Sequence, residues 1–334
     1  NFWKFSDIKY SKNYNSVLEN PVMPGAKWFS GSELNYAQNL LKGDPDQIAI
    51  ISIGENISPK TLTFKELNHR VSSVQKGLSK LGVKKGTIVA GFVPNCAETV
   101  ISMLAVSSLG GVWTSCSPDF GANGVVDRFG QVDPHILITS NGYSYNGKIF
   151  KLEEKVNGVL ESIDSIRHIV EIEYVDIKSN FNHDSIISFG DILNGEQTKP
   201  TFEQLPFNHP LFIMYSSGTT GPPKSIVHSS GGTLIQHMKE HQLHCDIKAG
   251  KSTMFWFTTC GWMMWNWLVS GLSSGSTIVL YDGSPSYPSL ERLWKMIDDL
   301  NITHFGTSPK FLNACDSANI LPNKFCKFDS LESI

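Results

Sequence analysis

The chain has 334 residues, a net charge of −3 and a charged-residue share of 18%, below the ~25% of a typical soluble domain. This length allows one large or two ordinary domains with a substantial buried core. The small net charge and the lack of a polybasic run exclude an electrostatic surface for nucleic acid or for an anionic membrane.

The cellular setting is indicated by six cysteines that form no Cys-x-x-Cys pair. In a chain of this length they predict reduced thiols in the cytosol. The uncharged stretch at residues 252–281 contains interspersed glycines and polar residues, which favours a buried strand–loop–helix over a membrane span. The start has neither an initiator methionine nor a signal-peptide pattern, so we expect the sequence to begin inside a longer one.

Residues 1–40 are aromatic and irregular, and we predict an N-terminal arm packed over a core. Strands and helices then alternate, beginning with a strand at residues 48–51. Thr63 and Glu66 have capping-box spacing, and a helical apolar face follows them. Further strands are predicted at residues 87–93 and 111–116. This βαβαβ rhythm predicts parallel sheets that helices cover on both faces.

A polar loop at residues 141–148 follows the next predicted strand. Its Tyr145 and Lys148 could hold an adenine ring and a phosphate group, although a plain surface hairpin is an equal alternative. Residues 195–201 are predicted to be a linker. We therefore divide the chain into an arm (1–40), a first α/β subdomain (41–200) and the start of a second α/β subdomain (201–334).

The densest group of phosphate-binding residue types lies between residues 211 and 228, where an apolar run enters a polar loop and a β-branched run leaves it. Glycine allows positive φ, successive N–H groups can accept an anion, and lysine is a common phosphate partner. We predict a polyphosphate-binding loop, with a hairpin that carries a chance lysine as the alternative. The candidate residues are Ser216, Ser217, Gly218, Thr219, Thr220, Gly221 and Lys224.

This loop differs from the ordinary nucleotide P-loop. Pro223 stands where that motif has the glycine before its lysine, and the residues after Lys224 are predicted to be extended rather than helical. An NTPase with a variant loop would require a helix directly after Lys224.

The helix predicted at residues 233–245 carries His237, Glu240 and His241, which match the H-x-x-E-H pattern of inverted zinc proteases. His244 is expected on the same face, and two histidines four residues apart can reach one metal. A polar or partly packed helix is favoured, and a zinc hydrolase is a distant alternative.

A strand in the segment 253–267 is predicted to end at a glycine and to open onto an aromatic, methionine-rich helix. These side chains could form the wall of a substrate pocket, or they could be bulky core residues. The candidate pocket residues are Gly261, Trp262, Met263, Met264 and Asn266.

The run Tyr-Ser-Ser-Gly-Thr-Thr-Gly-Pro-Pro-Lys at residues 215–224, followed by Val227 and His228, resembles the phosphate-binding signature of the adenylate-forming superfamily. Acyl-CoA synthetases, luciferases and peptide-synthetase adenylation domains belong to it. Most members have glycine after the lysine, whereas this chain has Ser225. The segments around residues 23–29 and 117–129 resemble the acetoacetyl-CoA synthetase branch in particular, and the Gly-Trp pair at residues 261–262 resembles both acetyl- and acetoacetyl-CoA synthetases.

The resemblance implies the layered αβαβα N-terminal domain of these enzymes. It also implies ATP-dependent ligation of acetoacetate to coenzyme A through an acyl-adenylate, with Mg²⁺ bound to the ATP phosphates. The predicted loop would then bind those phosphates, and Tyr145 and Lys148 would contact coenzyme A. Asn266 or an indole N–H could bind the β-keto oxygen. Alternatives are an acetyl- or other short-chain acyl-CoA synthetase and, more distantly, a non-catalytic nucleotide-binding module.

The resemblance further implies that this chain corresponds to the N-terminal half of such an enzyme. The C-terminal domain and its catalytic lysine are expected beyond residue 334. The fragment alone is therefore expected to be inactive.

Overall fold

A computed structural model describes residues 2–55, 57–194, 198–216 and 221–334, and strands and helices alternate through most of these ranges. The strands are β1 (Ser16–Glu19), β2 (Lys27–Ser30), β3 (Glu33–Leu34), β4 (Ile48–Gly54), β5 (Lys60–Thr63), β6 (Ile88–Phe92), β7 (Val112–Cys116), β8 (Ile136–Ser140), β9 (Gly142–Tyr145), β10 (Lys148–Lys151), β11 (His168–Ile172), β12 (Ile186–Ser188), β13 (Leu205–Pro206), β14 (Pro210–Ser216), β15 (Lys224–Ser229), β16 (Thr253–Trp256), β17 (Thr277–Asp282) and β18 (His304–Gly306). The α-helices are α1 (Phe2–Phe5), α2 (Tyr36–Leu40), α3 (Phe64–Lys80), α4 (Ala97–Ser108), α5 (Ala122–Phe129), α6 (Glu153–Ser162), α7 (Phe189–Leu193), α8 (Ser230–Lys239), α9 (Met263–Ser270), α10 (Arg292–Asp299) and α11 (Pro309–Ser317).

Two large sheets form the framework. The first has seven strands in the order β12-β11-β8-β6-β7-β14-β15, and the second has five in the order β18-β16-β17-β4-β5. Neighbours are parallel except for the pairs β14–β15 and β4–β5. The mostly parallel arrangement confirms the prediction from the βαβαβ rhythm, because parallel strands need the crossover helices that the sequence pattern indicated.

The layering follows from which face of each strand is buried. Ile50 and Val89 belong to one large core that lies between the two sheets together with α2, α3, α4 and α9. Ile51 faces away from it, into a second core formed with α10 and α11. Phe92 faces a third core formed with α5 and α6. Because successive strand residues point to opposite faces, the result is the predicted αβαβα sandwich.

The start of α3 shows how local sequence sets the elements. The backbone N–H of Glu66 donates to Thr63 Oγ1 (3.2 Å), and the backbone N–H of Thr63 donates to Glu66 Oε2 (2.8 Å). This confirms the predicted capping box. The helix ends just before Gly82, whose φ of +89° is a conformation that glycine adopts without a steric penalty.

The predicted boundary near residue 200 falls between α7 and β13, and residues 195–197 of the predicted linker lie outside the described residues. This boundary divides the chain but not the sheets, because each of the two large sheets contains strands from both sides of residue 200. Strands β14 and β15 join the seven-stranded sheet, and β4 and β5 join β16–β18. The subdomain division itself stays a prediction.

The uncharged stretch at residues 252–281 forms β16, α9 and β17, as the strand–loop–helix prediction required. Among the helices of the described ranges, none is both long enough and apolar enough to cross a membrane.

Candidate active site

The predicted phosphate loop connects β14 to β15. Ser216 pairs with Lys224 across this antiparallel hairpin. Gly221 has a φ of +100°, and a Cβ added there would meet no atom within 4 Å. The predicted phosphate ligands Ser217, Gly218, Thr219 and Thr220 lie outside the described residues. Of the predicted set, the structure therefore brings Ser216, Gly221 and the exposed Lys224 together at the carboxyl end of β14.

The backbone after Lys224 is a strand that continues to Ser229. This confirms the predicted extended exit and argues against the variant P-loop NTPase, which needs a helix at this point. Since β14 is parallel to β7, the hairpin stands at the carboxyl edge of the sheet. Open α/β sheets commonly bind ligands at this edge.

Gln131, just after α5, anchors the exit of the hairpin. Its Nε2 donates to the Pro223 carbonyl oxygen (2.8 Å), and Ser225 Oγ donates to its Oε1 (2.8 Å). Ser225 is the residue that departs from the superfamily's usual glycine, and its hydroxyl makes a contact that glycine could not. Sequence reasoning missed Gln131, because it is distant along the chain and belongs to no motif.

A small cavity lies beside the hairpin, between β7 and β14 on one side and the start of α9 on the other. Its volume of ≈ 10 Å³ admits about one water molecule. Ser115 Oγ donates to the Cys260 carbonyl oxygen (2.6 Å) and so ties the end of β7 to the loop before α9. The side chains and backbone that surround the cavity include Trp113, Ser115, Met214, Cys260, Gly261 and Asn266.

Two of the residues that line this cavity carry a polar group without a partner among the described residues. Asn266 is only 3% exposed, and its carboxamide makes no hydrogen bond to any described residue. The indole Nε1 of Trp113 is buried and, within the described ranges, has no acceptor. By contrast, the nearby Trp265 donates its Nε1–H to Asn95 Oδ1 (2.9 Å). Buried polar groups are normally paired, so the unpaired carboxamide of Asn266 suits this cavity to a polar ligand.

The predicted pocket residues therefore fall into two groups. Gly261 and Asn266 line the cavity. Trp262 and Met263 are 66% and 44% exposed and do not line it, while Met264 is partly buried against the main core. A pocket role for these three stays a prediction.

The predicted coenzyme A contacts lie on the hairpin formed by β9 and β10. Tyr145 and Lys148 are paired across it and are both exposed. The turn residues Asn146 and Gly147 have φ values of +53° and +74°, as in the tight type I′ turn. The surface-hairpin alternative is thus confirmed as local structure, and a coenzyme A role stays a prediction.

Glu55 fixes this hairpin to the rest of the site. Its Oε1 accepts the backbone N–H of Asn146 (2.7 Å), and its Oε2 accepts that of Gly147 (2.8 Å). Its Oε1 also accepts the backbone N–H of Ser284, just after β17. One carboxylate therefore joins the ends of β4, β17 and the β9–β10 turn. No sequence motif indicated this role.

Replacing Glu55 by glutamine should destabilise the chain by roughly 1–3 kcal/mol, because charge-assisted bonds are lost and an amide N–H then faces backbone N–H donors. Urea unfolding measures the change. Glu291→Gln is the matched control, since Glu291 pairs with Lys295 at the surface (2.6 Å) and such pairs contribute about 0–1 kcal/mol. Equal losses in the two variants would contradict the structural role of Glu55.

Asp282, at the end of β17, is the most perturbed carboxyl group near the site. Its Oδ1 accepts the backbone N–H of Asn95 (3.0 Å). Burial raises the pKa of Asp282 to about 6, although the Asn95 N–H and the Tyr174 hydroxyl act in the opposite direction. Perturbed carboxyls are frequent at functional sites. The only sequence signal for Asp282 is its place at the end of the apolar run at residues 278–281.

The zinc alternative finds no support. His237 Nδ1 is hydrogen-bonded to Ser270 Oγ (2.7 Å), and its ring centroid lies 6.3 Å from that of His241. Burial lowers the pKa of His237 to about 4 and that of His241 to about 3. No group of three or more potential metal ligands occurs within the described ranges.

The expectation that His244 shares this face is wrong. α8 ends at Lys239, and Glu240–His244 form a π-helical turn. The wider i→i+5 spacing shifts the faces, so His241 is buried while His244 is exposed.

Comparison with known proteins agrees with this geometry. The model of the AMP-binding enzyme family matches residues 38–333, and the chain belongs to this family. It is 44% identical over 344 residues to acetoacetyl-CoA synthetase of Gallus gallus, covering 100% of this chain and 51% of that protein. It is 39% identical over 350 residues to malonamoyl-CoA synthetase of Penicillium aethiopicum, covering 96% and 48%, respectively.

Among solved structures, acetoacetyl-CoA synthetase from Streptomyces lividans matches with a TM-score of 0.94 at 40% identity, covering 99% of this chain and 51% of that one. This match and the family membership confirm the predicted superfamily and its layered fold. The chain spans about half the length of these relatives.

Proposed function

We propose that this chain supplies the acid- and ATP-binding half of an AMP-forming acid–CoA ligase whose acid is acetoacetate. The observation that carries the proposal is the position of Lys224 and the β14–β15 hairpin beside a cavity lined by Gly261 and Asn266. The ammonium group of Lys224, which can bind polyphosphate, and a small polar cavity therefore lie at the same edge of the sheet. Family membership and the names of the similar proteins support the same conclusion.

The reaction has two steps. The carboxylate attacks the α-phosphate of ATP, which gives an acyl-adenylate and releases pyrophosphate. The thiolate of coenzyme A then attacks the acyl carbonyl, and AMP leaves. Lys224 neutralises charge on the departing pyrophosphate, and Mg²⁺ is carried by the ATP phosphates. The hairpin positions the ATP phosphates so that the carboxylate attacks the α-phosphate in line.

Three further assignments belong to the proposal. The predicted residues at positions 216–221 bind the ATP phosphates with Lys224. Tyr145 and Lys148 contact coenzyme A, supported by their side-by-side exposure on the β9–β10 hairpin. The protein works in the cytosol, a placement supported by its six free cysteines.

The names of the similar proteins support acetoacetate as the acid. Acetoacetyl and malonamoyl groups both carry a carbonyl oxygen at the third carbon, and the unpaired carboxamide of Asn266 lines the cavity. Acetate and other unsubstituted short-chain acids are the alternative. They carry no oxygen at the third carbon for this carboxamide to bind.

The test is ATP–pyrophosphate exchange by the full-length protein with acetate, propionate, butyrate, acetoacetate and 3-hydroxybutyrate. We expect the highest kcat/KM with acetoacetate. Fastest exchange with acetate would overturn the substrate assignment. ATP binding without exchange for any acid would instead identify a non-catalytic nucleotide-binding module.

A further inference from the structure

We infer that Gln131 is a positioning residue for pyrophosphate release, because its carboxamide bonds to the residues on both sides of Lys224 and so fixes the backbone from which the Lys224 side chain projects. This role rests on the proposed function, in which Lys224 neutralises charge on the departing pyrophosphate. Gln131 acts through Lys224 rather than on the nucleotide itself, and it belongs to no phosphate-binding motif.

The carboxamide of Gln131 is engaged at both ends. Its Nε2 donates to the carbonyl oxygens of Asp127 (2.6 Å) and Pro223 (2.8 Å), and its Oε1 accepts the hydroxyl of Ser225 (2.8 Å). Backbone carbonyl oxygens can only accept, so they determine which end of the carboxamide is the NH₂ group and leave its oxygen for Ser225. The bond to Asp127 orients the carboxamide from the helix side, and the other two bonds fix the hairpin relative to it.

The support from which Gln131 extends is rigid. It follows the end of α5 by two residues, and α5 packs into the third core through the fully buried Val125 and Phe129. The same helix contacts the strand that enters the hairpin, because the guanidinium carbon of Arg128 lies 6.0 Å from the centre of the Tyr215 ring. Helix α5 and the residue just beyond it therefore contact both strands of the phosphate hairpin.

The backbone around Lys224 has few other restraints. β15 is the last strand of the seven-stranded sheet, so it pairs with β14 on one side only. The two residues before Lys224 are prolines, which have no N–H to donate. Within the described ranges, the side-chain hydrogen bonds to residues 221–225 come from Gln131 alone. Loss of these bonds therefore loosens the start of β15, and with it the ammonium group that must meet the leaving phosphate.

A double-mutant cycle with Lys224 tests this role in the full-length protein. Gln131→Met keeps the length of the side chain and removes its three hydrogen bonds. With the acid that the wild type uses best, we expect kcat for ATP–pyrophosphate exchange to fall roughly 10- to 100-fold while the KM for the acid changes less than about twofold. In the Lys224→Met background the same substitution should lower kcat less than about twofold, since the group that Gln131 positions is already absent.

Ser225→Ala removes one of the two bonds to the hairpin and should lower kcat by less than Gln131→Met does, which keeps the test valid if Gln131→Met folds poorly. Gln236→Met is the matched control and should leave kcat unchanged, because Gln236 is also exposed but bonds to Glu240 (2.7 Å), four residues along its own chain segment. Equal fold-losses for Gln131→Met with and without Lys224, or an unchanged kcat in both Gln131→Met and Ser225→Ala, would overturn the inference. A wild-type protein that exchanges no pyrophosphate with any acid would instead contradict the proposed function.

Discussion

Replacing Lys224 by methionine in the full-length protein should reduce the rate of ATP–pyrophosphate exchange by roughly 10²- to 10³-fold. The substitution keeps most of the length of the side chain and removes its charge. Lys224 is exposed at the first position of β15, directly across from Ser216. Its ammonium group is therefore free to reach the phosphates of a nucleotide held by the hairpin.

The effect should be larger on kcat than on the KM for ATP, because negative charge on the leaving pyrophosphate increases as the bond to the α-phosphate breaks. Lys248→Met is the control. Lys248 is also exposed, but it pairs with Asp246 (3.0 Å) at the surface. Exchange kinetics that are the same in the Lys224 and Lys248 variants would reject the phosphate-binding role of the hairpin.

Replacing Asp282 by asparagine should stabilise the chain at pH 8 by about 3 kcal/mol. The pKa of this carboxyl is about 6 in the folded chain, against its ordinary value of 3.8, and each unit of difference corresponds to about 1.36 kcal/mol. An asparagine retains an oxygen that can accept the Asn95 N–H but cannot ionise. The buried charge is thereby removed without loss of that hydrogen bond.

The direction of the pH dependence follows from the higher pKa of Asp282 in the folded chain than in the unfolded chain. Between pH 3.8 and about 6 the unfolded carboxyl is ionised while the folded one keeps its proton. The stability that this group contributes is complete below pH 3.8 and is lost as the pH rises through 6. The variant and the wild type should therefore converge at about pH 4 and differ most at pH 8.

Urea unfolding of both chains at several pH values measures this difference. Asp316→Asn, at an exposed position of α11, should change stability by less than about 0.5 kcal/mol at every pH. A stability difference for the Asp282 variant that does not vary with pH would contradict the burial of its charge.

The sequence allowed prediction of features set by near neighbours. The capping box at Thr63 depends on four consecutive residues, and the extended exit after Lys224 depends on the local run of β-branched residues. The parallel sheets followed from the alternation of strands and helices. The phosphate hairpin was found because its glycines, hydroxyls and lysine are contiguous.

Features made by distant segments could not be predicted in this way. Trp113 of β7 and Asn266 of α9 line one cavity although they are distant along the chain, and burial of Asp282 depends on the packing of β17 between its neighbours. Gln131 reaches the hairpin from the end of α5. The π-helical turn that separates His241 from His244 leaves no clear mark in hydrophobic periodicity.

We propose that this chain forms part of a ligase that activates acetoacetate as an adenylate. The most direct test is a product analysis of the full-length protein with ATP, Mg²⁺, coenzyme A and acetoacetate. We expect acetoacetyl-CoA, AMP and pyrophosphate in equal amounts, with an acyl-adenylate when coenzyme A is omitted. Formation of ADP and phosphate with the thioester, or no thioester at all, would contradict it.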